Sequence, residues 1–417
     1  MLKRCLSQRR WIVFLALVLV CLAVVGPRVY VWRQTTVARQ TLATGRPEVA
    51  IPILTRTAAF APDNSEVHYL LAVAERRSGH LDRVSSPLRR AAKLGWSKDD
   101  IERQSLLAIA QNGDVDATDA RLKTIMIGGV SDEAAEEIYE ALAIGYLKTY
   151  RLKEAWECLS SWSSWQPQAI FPKIWRADIC HRINNRAGEE SEHRAILAID
   201  PKHCETRRRL ADVLKDTNRI EEARQEYERC LRTCVATPEV LIGLAECHRR
   251  LAQVQSAVPL LKQALDQNLS AAQRASVLSE LGQIAADEGR FHEAIGKLDE
   301  ATRLAPYQSP IWYSLSQAYA RTGDEVRSRE LLEQSERIRN LSLRVEEITQ
   351  QLLKTPNNAD LRYEAGKIMM DLGLKKEGAG WLQTVIQIQP DHRLALEALA
   401  AYVAESPATS PDIPREN

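Results

Sequence analysis

Apolar positions along this chain fall mostly into short helical stripes that come in pairs. Tyr139, Leu142, Ala143 and Tyr146 are spaced three and four apart, which puts them on one side of a helix. Tyr150-Arg151 reads as a turn, Ala155, Leu159 and Trp162 make a second stripe, and Pro167 ends it. Small residues at Ala143 and Ala155 let the two helices approach closely. The pattern then returns at a fixed step. Leu210 and Ala211 recur 34 residues on as Leu244 and Ala245, and Ala223 recurs as Ala257. A step of 37 reaches Leu281, Gly282 and Ala294 together, and another 34 takes Leu281 to Leu315 and Gly289 to Gly323. Two steps back from Leu210, Ala211 and Ala223 lie Leu142, Ala143 and Ala155; Pro167 and Pro201 are also 34 apart. Several positions moving together imply stacked copies of one helix–turn–helix unit, each burying its apolar face on its neighbours.

These residues carry a resemblance. The order aromatic, Leu-Gly/Ala, Tyr, Ala, Leu or aromatic, Ala and closing Pro resembles the tetratricopeptide repeat. It is clearest in Leu278–Leu281–Gly282–Gly289–Phe291–Ala294–Leu298–Ala301–Pro306 and in Trp312–Leu315–Tyr319–Gly323–Leu332. Copies around Tyr139, Leu210 and Leu244 follow, weaker ones begin near Ser65 and Ala359, and residues 99–130 and 170–203 are degenerate. The resemblance implies a right-handed α-solenoid of about nine or ten units over residues 31–392. His392 to Ala404 then reads as a capping helix (393–404), and 405–417 as a polar, Pro-rich, disordered tail.

One interval breaks the period. Gly323 to Gly373 is 50, which is 34 plus 16. Between Glu325 and Lys354 there is no Pro or Gly, so a single long helix is expected over 325–354. It would lengthen an edge of the array and could serve as a partner surface or a homodimer seam, or simply pack on its neighbours.

The second apolar pattern lies at the start. Trp11 to Pro27 is uncharged and mostly Val, Leu, Ile, Ala and Phe. At 1.5 Å per residue it spans roughly 25 Å, close to the shortest membrane helix, and Val29 to Trp32 can extend it. Residues 1–30 are read as a basic N-terminus and uncleaved transmembrane signal anchor; a cleaved signal peptide and a buried core helix are the alternatives. Gly26-Pro27 disfavours cleavage, and Val20 before Cys21 disfavours a lipidation site. Charge follows the same division. Residues 1–47 hold eight basic and no acidic residues, leaving 48 basic against 55 acidic in the rest, so the net +1 averages unlike parts. A near-neutral balance argues against general nucleic-acid binding. The basic start favours a cytoplasmic N-terminus, hence a bacterial inner-membrane protein with repeats facing the periplasm, although the four arginines after the run leave cytoplasmic repeats open.

Chemistry is sparse. There is no Gly-rich phosphate loop, nucleophile elbow or H-E-x-x-H, and the repeats leave no stretch for a separate catalytic domain. No catalytic residue, metal or cofactor is expected, and the function read here is non-catalytic. The alternative is a repeat-based enzyme or metal-binding subunit built on Cys204, Cys230, Cys234, Cys247, His203 and His248. Cys230 sits where other repeats carry Ala264 and Ala301, so small core filler is the simpler reading, with a disulfide possible in an extracytoplasmic domain. Trp156, Trp162, Trp165 and Trp175 read as core filling, with an exposed aromatic anchor for a partner as the alternative.

The resemblance also implies where binding occurs, since the first helix of each pair lines a groove for proteins or peptides. The Lys–Asn pair of a chaperone-tail clamp is missing from the matching positions. Candidate contacts are Tyr69, Arg208, Asp212, Arg249, Gln283, Tyr313, Gln317 and Tyr363. Groove charges such as Arg76, Arg77, Arg249 and Glu137 are expected to be solvated.

Overall fold

The structure, a computed structural model, describes residues 25–405. The apolar run Trp11–Pro27 lies outside the described residues except for its last three positions, as does the tail beyond residue 405. Among the described residues no helix is long and apolar enough to cross a membrane.

The described chain is all helical. It begins with α1 (25–43), α2 (Pro47–Phe60), α3 (Ser65–Arg77), α4 (Ser85–Lys93), α5 (Lys98–Gln111), α6 (Asp119–Ile127) and α7 (Asp132–Lys148). It continues with α8 (Leu152–Trp165), α9 (Phe171–Arg182), α10 (Arg186–Ile199), α11 (Cys204–Asp216), α12 (Ile220–Thr233), α13 (Pro238–Arg250) and α14 (Val254–Leu265). The last are α15 (Ala271–Asp287), α16 (Phe291–Leu304), α17 (Ser309–Thr322), α18 (Glu325–Leu352), α19 (Ala359–Asp371), α20 (Lys375–Ile388) and α21 (Arg393–Glu405). The chain forms two compact units, Met1–Lys148 and Thr149–Asn417.

Each pair turns on a residue with positive φ. These are Gly45, Gly79, Gly113, Tyr150, Asn184, Asn218, Ala252, Gly289, Gly323 and Gly373. Their spacing is 34 or 37 throughout, except for the final 50. The period therefore runs unbroken through 99–130 and 170–203, where the apolar pattern had faded. Glycine adopts this backbone freely, whereas Ala252 (φ 59°) and Tyr150 (φ 58°) are strained in it.

Packing is local, as stacked units require. In the second unit, Leu210 and Leu214 of α11 meet Ala223 and Tyr227 of α12 and then Val240 and Leu244 of α13. Each such buried Leu contributes about 1.5–3 kcal/mol. Side-chain caps start several first helices: Asn64 accepts from Val67 N, Asn358 from Leu361 N, and Ser270 with Gln273 forms a capping box. Gly282 lets α15 approach α16, since a Cβ there would lie 2.7 Å from Leu298.

The long helix α18 has 28 residues. Its first half pairs with α17. Its second half buries Val345, Ile348 and Leu352 against Ala365, Ile368 and Leu372. It also reaches the other end of its unit, where Gln350 Nε2 donates to Ile183 O at 2.7 Å. Tyr150 packs on Trp381 with ring centroids 4.2 Å apart. Fully buried Arg362 donates from Nε to Pro356 O at 2.9 Å and from Nη2 to Thr149 O. The apolar stripe of α18 is thus consumed inside the unit, not displayed along an edge. Trp162 is buried edge-on against Trp175, as core filling requires, while Trp165 stays partly exposed.

Candidate partner-binding face

First helices lie directly against one another in the second unit: α11 touches α13, α13 touches α15, and α15 touches α17. Close contact along one side makes that side the inner face of the array. Ion pairs cross it. Lys215 Nζ lies 2.7 Å from Glu246 Oε2, and Arg249 Nε lies 2.8 Å from Glu280 Oε2. Arg208 pairs with Glu205 at 2.6 Å and Asp212 at 2.5 Å, and the Tyr227 hydroxyl donates to Asp212. Burial pushes the Asp212 and Glu280 carboxyls upward, partly offset by the neighbouring cations.

This corrects the expectation that groove charges are solvated. Arg249 and Glu280 are mostly buried and bonded to each other, and in the first unit Arg76 is 1% exposed. The reason is stacking: a first-helix side chain faces its neighbour's first helix before it faces water. A signal existed in the sequence, since Lys215–Glu246 and Arg249–Glu280 share a separation of 31 residues.

Seven of the eight candidate residues lie in the second unit and Tyr69 lies in the first. Arg208 and Asp212 on α11, Arg249 on α13 and Gln283 on α15 lie on successive first helices and are internally bonded; Gln283 donates to Ser279 Oγ at 3.1 Å. On α17, Tyr313 is 51% exposed and Gln317 is exposed, and neither side chain has a hydrogen-bond partner among the described residues. Tyr363 on α19 leans on His392 at 5.1 Å. Tyr69, in the first unit, is half-buried and stacked on Trp96 at 4.8 Å; burial raises its phenol. The side chains ready to meet a ligand without breaking an existing bond are therefore Tyr313 and Gln317.

The Cys/His grouping resolves differently from a metal site. Cys204 and Cys234 form a disulfide, with Cα atoms 6.0 Å apart. Cys234 caps α12 in extended backbone, so its side chain leaves the face it would have shared with Cys230. Cys230 is buried in the core, His203 caps α11 by accepting from Thr206 N, and His248 bonds Gln253 at 2.7 Å. Among the described residues no group of three or more His, Cys, Asp and Glu is placed to hold a metal ion. The bridge staples one whole helix pair, 30 residues apart. Reducing it, or making Cys204→Ser, should lower the stability of the second unit by about 3 kcal/mol, read as a shift in the urea midpoint with and without reductant.

Helix pairs of this kind, repeated along the chain, define an all-α helical-repeat protein. Residues 209–233, and the overlapping stretches 242–309 and 279–341, match family models described as tetratricopeptide repeat. Residues 209–233 and 242–341 thus carry tetratricopeptide repeats. No curated protein matches it in sequence. Solved structures similar to it include YrrB, described as a TPR protein with an unusual peptide-binding site, at 18% identity. That match covers 58% of this chain and 96% of YrrB, with a TM-score of 0.32. PilW, described as a widely conserved type IV pilus biogenesis factor, is 16% identical over 48% of this chain and 91% of its own, with a TM-score of 0.41. One chain of the APC/C hetero-tetramer Cut9–Hcn1 aligns over 96% of this chain and 95% of its own at 13% identity and a TM-score of 0.38.

Proposed function

We propose that the protein is a non-catalytic scaffold, tethered to a membrane through residues 11–27, that binds partner proteins or peptides along the first-helix face of its repeats. The observation that carries this is the state of that face. Its ionic side chains on α11, α13 and α15 are bonded to one another, while Tyr313 and Gln317 on α17 are exposed and free to bond a partner. An aromatic and an amide desolvate at lower cost than charges, and Tyr is a common interface anchor. A partner segment of low charge that offers backbone groups to Gln317 fits this chemistry. The Cys204–Cys234 bridge supports an oxidising compartment, and with the basic N-terminus it favours repeats in a bacterial periplasm. Cytoplasmic repeats would leave the bridge reduced. Self-association through 325–354 is the weaker reading, because the apolar stripe of α18 is already buried.

Photo-crosslinking from positions 313 and 317 in whole cells tests the proposal. The expected result is one recurrent protein adduct, absent from outward-facing control positions such as 303. Tyr313→Ala with Gln317→Ala should weaken binding of that partner about 30-fold, equivalent to about 2 kcal/mol. Equal, unspecific labelling from groove and control positions would count against it.

A further inference from the structure

Exposed large apolar side chains concentrate at one end of the first unit. Val25, Val29, Tyr30 and Trp32 line the first two turns of α1, and Phe60 ends α2 beside them. Trp32 is 67% exposed and Phe60 55%; the Tyr30 and Phe60 rings meet edge-on at 5.0 Å. The cluster borders a cavity of about 570 Å³ lined by Pro27, Arg28, Val31, Trp32, Arg39 and Phe60. The nearby acids are occupied, Asp63 by Arg90 at 2.7 Å and Glu66 by Arg39. Arg28 and Arg33 have no carboxylate partner among the described residues, so this end carries uncompensated positive charge.

We infer that this end of the first unit is a binding surface for anionic phospholipid headgroups. Three observations select lipid as the occupant. The apolar run Trp11–Pro27 leads directly into α1. At 1.5 Å per residue, Arg33 stands roughly 9 Å beyond Pro27, a depth that matches the headgroup layer. Exposed aromatics mixed with free arginines are the side chains that settle at that layer, and the free charge is opposite to that of the lipid. The surface would hold the first repeats against the bilayer instead of leaving them swinging on a tether. This inference rests on the proposed membrane anchor.

The test uses the full-length chain in lipid nanodiscs, made with or without phosphatidylglycerol, carrying a photo-crosslinker at position 32, 60 or, as control, 313. Flotation with the discs reports the anchor; lipid adducts report the surface. Lipid adducts from 32 and 60 but not 313 are expected, several-fold more abundant with phosphatidylglycerol. Arg28→Gln with Arg33→Gln should remove most of that several-fold gain. Circular dichroism checks that the double variant folds. Floating chain that gives no lipid adducts from 32 and 60, or only protein adducts, would overturn the surface and leave the anchor standing. Chain that does not float would overturn both.

Discussion

Replacing Glu137 with alanine should destabilise the first unit by about 3–5 kcal/mol, the cost of leaving a buried charge unpaired. Glu137 on α7 takes Arg76 Nη2 and Arg77 Nη2 from α3, each at 2.8 Å, and Gln104 Nε2 from α5 at 2.9 Å. Arg76 is buried, and its Nε bonds only Gln104. Without Glu137 the two cations keep only the attraction of Glu140, which bonds neither of them among the described residues. Burial opposes ionisation of Glu137, but the charges of Arg76 and Arg77 and the bonds from Arg77 and Gln104 outweigh it, so its pKa lies below the usual value. A depressed carboxyl contributes stability above its unfolded pKa of about 4.3 and loses it as pH falls through the folded value. The natural chain should therefore lose stability below about pH 4 more steeply than Glu137→Ala. Hydrogen exchange of α3, α5 and α7 amides under increasing urea measures both effects; a loss under about 1 kcal/mol would refute the lock.

A side chain at Gly145 should be nearly as damaging. There α7 crosses α5 so closely that an added Cβ would lie 2.2 Å from the Ala110 carbonyl oxygen and 2.5 Å from Val115 Cγ1. One of these is backbone, so no rotamer change relieves the clash. Gly145→Val should cost about 3–5 kcal/mol and lower the melting temperature of the first unit by many degrees. A Cβ at Gly296 would meet nothing within 4 Å, so Gly296→Ala should leave stability within about 0.5 kcal/mol or raise it, through helix propensity. Equal effects at the two positions would mean that close helix approach is not the cause.

Much of the architecture was legible in the sequence. The period of 34 recovered the helix pairs around Leu210, Leu244 and Leu281, because each copy buries the same face and so repeats the same residues. The long helix over 325–354 was legible from its lack of Gly and Pro, and it ends at Leu352. The pairs at 99–130 and 170–203 were harder to see. Their turns use Gly113 and Asn184 at the right spacing, but their apolar positions depart from the common pattern, and α6 is only nine residues long. The candidate binding face was legible as a set of first-helix positions, not as a patch. A helix face is readable from spacing, whereas partnering depends on which other helix faces it.

By itself, then, the sequence determined the local grammar: helices, turns, the repeat and the apolar run near the start. Those follow from periodicity and backbone preference within a few residues of each position. Only the tertiary structure decided which side chains remain available. It turned Arg76, Glu137 and Arg249 from surface charges into shielded ion-pair partners, tied Cys204 to Cys234, and spent the apolar stripe of α18 on Tyr150, Trp381 and α19. Each outcome depends on groups far apart in sequence meeting within a few ångströms. Desolvation and pairing act at that range, and no local pattern encodes it.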